Sequence, residues 1–467
     1  MKITLPFFYD YLLPNTIFPN ATPIEMGVIN YIHTLYSSKS VNGGLFVRDV
    51  ETPHSTIKNI FGESMGVWPL SLGGASHLQM QCYQHAVSIS ESSVYLGKRY
   101  RKKYIYPIKV TYHFDEFTGS FYPGYKLNGE FFWKHISSSV LNDVKAGNAV
   151  ILLDWANESL ITKESFEKLH IGLRMSGLPK EQIILIMNGF NANEVYNNWF
   201  SPEEQCLEVV NLPFLMSHTS YYYNNIYNQT NGVKNFISSK DKIRKHYFLF
   251  KIRRARDYRI ALLHAMASNN LLGKGNWSCL DDTSVDQSFK KSIRYRDDIN
   301  YDVIKNLHLT IPHTLDCENT STFNNVAGWS DKTTIAHETS YFYIASETYM
   351  NGSFKFFTEK IFKPLANFQP FLFLSFPGAL KELKRLGFKT FSPFIDESYD
   401  DELDEIKRFN LIYNEIARLC SMSKEDLHNW YWNMEEILIH NHNHILTLYQ
   451  TDPYIFNLVK YLNEKTA

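Results

Sequence analysis

No apolar run in the 467 residues approaches the roughly 20 residues that a membrane-spanning helix needs. The opening MKITLPFFYDY lacks the basic region and apolar core of a secretory leader. Net charge is missing too. The 47 Lys and Arg against 48 Asp and Glu leave −1, so no global field draws the molecule to nucleic acid or membrane, and any polyanion site must be a local patch. Cysteine is scarce. Cys82, Cys206, Cys279, Cys317 and Cys420 are scattered with no Cys-x-x-Cys pair, which argues against a disulfide frame or zinc site and for thiols in a reducing cytosol. Neither glycine-rich phosphate cradle, Gly-x-Gly-x-x-Gly or the Walker Gly-Lys loop, occurs, and there is no internal repeat.

What is abundant is aromatic: 30 Tyr and 33 Phe in a chain that is 44% hydrophobic and 20% charged, a globular composition. The length exceeds one compact core and suggests two domains, placed at residues 1–240 and 241–467. Residues 1–150 show no clear period. Ala149 to Leu153 is the first buried strand and runs into Asp154 and Glu158, acids at a strand's carboxyl end, where parallel α/β sheets do chemistry. Helical text over 164–173, a strand over 183–187, a turn at Asn188-Gly189 and a helix over 193–199 continue the alternation. Residues 219–240 read as a long loop or interdomain connection.

The second half repeats the pattern. Tyr247 to Phe250 is a strand, followed by a basic stretch containing Arg253, Arg254, Arg256 and Arg259, and by a helix over 260–269. A strand feeding a basic loop at a helix start is an anion site, because free N–H groups and guanidinium forks converge there. Residues 341–376 then read strand, loop, helix, strand. The first strand ends at Ser346-Glu347-Thr348, Thr358 is placed as an N-cap, Glu359 and Lys360 open the helix, and Phe371 to Leu374 is fully apolar. A strand over 388–394 and long helices over 402–420 and 424–449 complete the chain, with the acidic run 396–402 as a solvated cap for the next helix.

The stretch from Phe342-Tyr343 through Glu347-Thr348 and Phe356 to Lys360, closing with Pro370 to Leu374, resembles the donor-binding motif of the α-fucosyltransferases and of related phage and bacterial glycosyltransferases. The resemblance spans about 247–400. It implies two Rossmann-like domains facing a cleft, the GT-B arrangement, with a nucleotide-sugar donor in the C-terminal one. It implies Arg259 at the donor diphosphate, with Arg254 and Arg256 as alternatives, Glu359 on the ribose hydroxyls, and Glu347 on the sugar or holding Lys360. The family has Tyr where this chain has Phe356, so a hydroxyl is lost there.

Sugar transfer needs a base for the acceptor hydroxyl, stabilisation of the departing diphosphate, and an oriented anomeric carbon. No Asp-x-Asp, the usual metal motif of the other major transferase fold, occurs, so an inverting, metal-independent reaction without further cofactor is expected. Glu158, then Asp154, are the candidate bases. The acceptor is expected to be a glycan or a hydroxymethylated base in DNA. The basic-aromatic segment 98–104 mildly favours DNA but reads more simply as a charged strand edge. His77, Gln79, Gln81 and His85 are candidates to line an acceptor pocket. His440, His442 and His444 read as a polar helix face, since spacing of two scatters them over different faces. A non-catalytic nucleotide- or glycan-binding module is the alternative.

Overall fold

The computed structural model describes residues 8–9, 67–69, 87–88, 103–110, 138–155, 162–213, 232–280, 284–315, 332–350, 352–451 and 453–467, with a few residues between 215 and 223. Glu158, the 77–85 polar run and residues 98–102 lie outside the described residues. The elements run β1 (Phe8–Tyr9), β2 (Val67–Pro69), β3 (Val87–Ser88), β4 (Tyr104–Val110), α1 (Ser138–Lys145), β5 (Ala149–Trp155), α2 (Lys163–Ser176), β6 (Ile183–Met187), α3 (Ala192–Trp199), β7 (Glu208–Asn211) and α4 (Gly232–Ile237). They continue with β8 (His246–Ile252), α5 (Asp257–Ser268), β9 (Asn276–Cys279), α6 (Val285–Ser292), α7 (Tyr301–His308), α8 (Lys332–Glu338), β10 (Ser340–Ser346), α9 (Glu359–Ala366), β11 (Phe371–Leu374), α10 (Ala379–Arg385), α11 (Glu405–Ser421), α12 (Lys424–Trp432), α13 (Glu435–Thr451) and α14 (Pro453–Thr466).

Besides the short parallel pair β1-β3, two larger sheets organise the described elements, and both are α/β. The first has the order β2-β4-β5-β6-β7; β2 is antiparallel and the rest parallel, and among the described residues α1, α2 and α3 lie on the crossings from β4 to β7. β5 and β6 read AVILLDW and IILIM because a parallel strand covered on both faces has no solvent side to leave polar. The second sheet, β11-β10-β8-β9, is wholly parallel. β10 is buried at every position, aromatic residues included.

The chain forms two compact units. One comprises Met1–His218, Ser353–Phe356 and Thr451–Ala467; the other Thr219–Gly352 and Phe357–Gln450. α14 belongs with the first sheet: Leu458 and Leu462 pack among Ile105, Val150, Leu152, Ile184 and Ile186. Among the described residues no helix is long and apolar enough to cross a membrane.

Several sequence expectations change. Within 219–240, Gly232–Ile237 is helical, its Phe236 ring stacked on Phe368. α5 starts at Asp257, an acid favoured by the helix dipole, so Arg259 sits inside the helix and not in the preceding loop. β9 was not anticipated; NWSC is too short and mixed to show a period. Residues 388–394 form no strand. Asn441 takes both polar groups of the Lys389 backbone and Glu397 takes the Phe391 amide, so side chains replace a ladder. The 424–449 segment is two helices that break around Asn433.

The acidic run is solvated only in part: Asp396 and Asp401 are exposed, whereas Asp400 has a structural task. Asp400 is buried and accepts from the Leu380 and Lys381 amides, capping the preceding helix α10, while Asp404 caps α11. The three histidines are docking groups. His440 and His444 each reach a carbonyl at the end of α10, Gly387 at 2.9 Å and Leu386 at 2.7 Å. His442 is buried, stacks on Phe368, and bonds the last carbonyl of α9, Ala366, at 2.7 Å.

Candidate functional site

The second sheet has its topological switch between β8 and β10. From β8 the chain crosses through α5 to β9 on one side; from β10 it crosses through α9 to β11 on the other. The two loops therefore diverge, and the crevice they leave at the carboxyl ends is where open α/β sheets take ligands. The 253–256 loop and the start of α5 line it from β8. Residues 347–350, Phe357, Thr358 and the start of α9 line it from β10.

Arg259 stitches the two strands. From α5 its Nε donates to Ser346 Oγ at 3.1 Å, and Nη2 donates to the Ser346 carbonyl at 3.0 Å and the Glu347 carbonyl at 2.5 Å. It is buried, and a further, longer contact of 3.4 Å runs from Nη1 to the Arg254 carbonyl. The Tyr258 hydroxyl also donates to the Glu347 carbonyl, and burial pushes this phenol up to about 12. A guanidinium committed to so many carbonyls fixes backbone first. Arg254 is exposed, and Arg256, the N-cap residue of α5, lies with its guanidinium 5.3 Å from the centre of the Tyr349 ring.

Glu347 is buried with both oxygens occupied. Oε1 accepts from the Thr358 amide at 2.9 Å and Oε2 from the Thr358 hydroxyl at 2.6 Å. Burial raises its carboxyl above the usual range, against the pull of Lys360 and the Thr358 bonds. Thr358 is the N-cap of α9: its Oγ accepts from the Lys360 amide at 3.3 Å and from Lys360 Nζ at 2.9 Å. Thr358 thus ties the strand end, the helix start and the ammonium together.

Glu359 behaves in the opposite way. Burial alone would raise it, but Lys360, Lys363 and its own backbone amide outweigh that and hold the carboxyl near 2. Its Oε1 lies 3.5 Å from Lys360 Nζ, and both side chains remain about a quarter open to solvent. The mouth of the crevice therefore presents an ionised acceptor beside an ammonium at a helix N-terminus.

The rest of the β10–α9 loop is also held. Arg408, buried in α11, donates to the Met350 carbonyl at 2.6 Å; nothing in its helix sequence marks it for this. Residues 353–356 belong to the first unit, where Phe354 meets the edge of Trp199 and Phe356 is buried. Asp154 is the penultimate residue of β5, paired with Ile186 in β6. Of the basic-aromatic segment only Lys103 and Tyr104 are described. Burial, then Lys465, lowers the Lys103 ammonium, and Tyr104 opens β4. Among the described residues no group of three His, Cys, Asp or Glu is placed to hold a metal.

No family model matches the chain, and no curated protein does. Solved structures similar to it include α,α-trehalose 6-phosphate synthase from Burkholderia multivorans, at TM-score 0.35 and 9% identity over 68% of this chain and 66% of that one. A UDP-forming α,α-trehalose-phosphate synthase from Burkholderia vietnamiensis gives 0.34 and 9% over 68% of each. The N-terminal domain of Candida albicans trehalose-6-phosphate phosphatase gives 0.39 and 10% over 81% of this chain and 74% of that one. The chain spans about two thirds of the first of these. At such scores the likeness carries no statement about this chain's chemistry.

Proposed function

We propose that the protein is a glycosyltransferase that moves a sugar from a nucleoside-diphosphate sugar to an acceptor hydroxyl, fucosyltransferase-like and of the GT-B kind. The observation that carries this is the pair at the head of α9. An ionised, accessible Glu359 suits the paired hydroxyls of a ribose, and Lys360 beside it suits a phosphate. Arg254 and Arg256 bring further positive charge to the adjoining loop, and Arg259 holds the β10 end against which the donor lies.

The acceptor oxygen attacks the anomeric carbon as the bond to the diphosphate oxygen breaks, and the diphosphate leaves with the electron pair. A single displacement from the face opposite the leaving group inverts the anomeric carbon, and Lys360, the arginines and the α9 N-terminus answer the growing charge where other transferases use a metal. A carboxylate takes the acceptor proton. Asp154, at the carboxyl end of β5, and Glu158, just beyond it, are the candidates. The acceptor hydroxyl belongs to a glycan or to a hydroxymethylated base in DNA.

The test is thermal stabilisation of the full chain by UDP, GDP, CDP and their sugars, with Lys360→Ala as control. A shift of several degrees with one nucleotide, absent in the variant, is expected. No shift with any of them in the parent chain would sink the donor assignment.

A further inference from the structure

The 253–256 loop and residues 347–350, the two walls of the crevice, belong to one unit, and the start of α5 joins them. Tyr258 and Arg259 both donate to the Glu347 carbonyl, which pins the chain as it leaves β10. A little further on, Arg408 of α11 takes the Met350 carbonyl at 2.6 Å. Only Thr348 and Tyr349 lie between these anchors, and Tyr349 is half-buried. A side chain on so short a span, fixed at both ends, has a defined place.

Arg256 holds the N-cap position of α5. An N-cap side chain ordinarily offers an oxygen to the first helical amides. A guanidinium has none to give, and no side-chain cap bond forms. The helix it starts therefore does not explain an arginine at 256. Asp257 beside it is engaged by Lys291 Nζ at 2.8 Å. The Arg256 guanidinium lies over the Tyr349 ring, 5.3 Å from its centre, where a cation still feels the negative ring face. Arg256 comes from the loop after β8 and Tyr349 from the loop after β10, so the contact joins the two walls.

The neighbouring cation cannot do the same work. Arg259 gives its nitrogens to Ser346 and Glu347, and turning to a ligand would release the end of β10. Arg256 can leave the ring, exchanging a weak contact for charge-assisted bonds to an anion. We propose that Tyr349 is a positioning residue for the donor's diphosphate: its ring holds the Arg256 guanidinium at the crevice, ready for the phosphates, while Arg259 fixes the wall. This rests on the donor assignment above.

The experiment measures nucleoside-diphosphate binding (UDP, GDP, CDP and ADP) to the full chain by calorimetry, with urea unfolding of each variant. It compares the parent with Tyr349→Leu, Tyr349→Phe, Arg256→Ala and the combination of Tyr349→Leu with Arg256→Ala. Tyr349→Leu is expected to weaken binding of the nucleotide the parent prefers by roughly three- to fivefold. Tyr349→Phe keeps the ring face and is expected to stay within about twofold of the parent. In the Arg256→Ala background, Tyr349→Leu is expected to cost nothing more, since no guanidinium is left to hold. Equal affinity of the parent and Tyr349→Leu overturns the positioning role and leaves the donor assignment standing. The same follows if Tyr349→Leu costs as much with Arg256 replaced as with it present. A parent that binds no nucleotide, with its fold intact, overturns both. Should Tyr349→Leu fail to fold, Tyr349→Gln takes its place under the same criteria.

Discussion

At the head of α9 two neighbouring carboxylates have opposite jobs, and one hydroxyl separates them. Thr358 Oγ donates to Glu347 and accepts from Lys360 twice, through its amide and its ammonium. Thr358→Val keeps the shape but leaves a buried carboxylate with only the amide bond. It is expected to cost about 1–3 kcal/mol in urea unfolding, with Thr358→Ser near the parent. Glu359→Gln removes the charge that accepts hydroxyls. It should weaken nucleoside-diphosphate binding roughly tenfold, equivalent to about 1.4 kcal/mol, while leaving inorganic diphosphate binding nearly unchanged. Equal losses for both ligands would take Glu359 off the ribose. The helix-start positions of Thr358 and Glu359 were visible in the sequence because caps and first-turn acids have fixed places there, whereas Glu347 and Lys360 stood out through the family resemblance. Arg408 was not visible, since it acts on a segment far away in the chain. The commitment of Arg259 to carbonyls was hidden for the same reason: sequence shows a basic residue, and only the fold shows what it faces.

Among elements, buried apolar runs were legible and side-chain-supported segments were not. β6 and β11 lie where their runs of apolar residues put them, because continuous burial leaves no other reading. Residues 388–394 look equally apolar, yet Asn441 and Glu397 take the backbone groups a partner strand would have used. The histidines of α13 work at the same scale, donating from a third helix to the carbonyl ends of α9 and α10. Gly387 makes that junction possible. It has φ +92°, and a Cβ there would stand 2.8 Å from His444 Nε2. Gly387→Ala is therefore expected to destabilise by about 1–3 kcal/mol, read as a lower urea midpoint. A midpoint unchanged from the parent's would show that α10 and α13 yield easily.

For the whole molecule, four buried histidines set an acid limit. Burial is the first cause in each case: His170 and His442 are lowered to about 4, His264 and His337 to about 3. The unfolded chain binds their protons near pH 6.5 and the folded chain does not until pH 3–4, so stability is full above 6.5 and falls as pH drops through that window. The slope is on the order of 1 kcal/mol per pH unit for each histidine. Glu359, held near 2, adds its loss only below about 4.5, while the raised Glu347 works in the opposite direction. A urea midpoint that drops from pH 7 to pH 5, and drops less in His442→Asn, is the expected result. A flat profile would mean that the histidines gain protons inside the fold.

The return of α14 to the first sheet has a consequence for how the molecule is made. Leu458 and Leu462 complete a core begun by Ile105 and Val150, hundreds of residues earlier in synthesis. A ribosome must therefore deliver the entire second unit before the first can close. The half that is translated first is the half that finishes last, and until then its open sheet is a natural client for a chaperone.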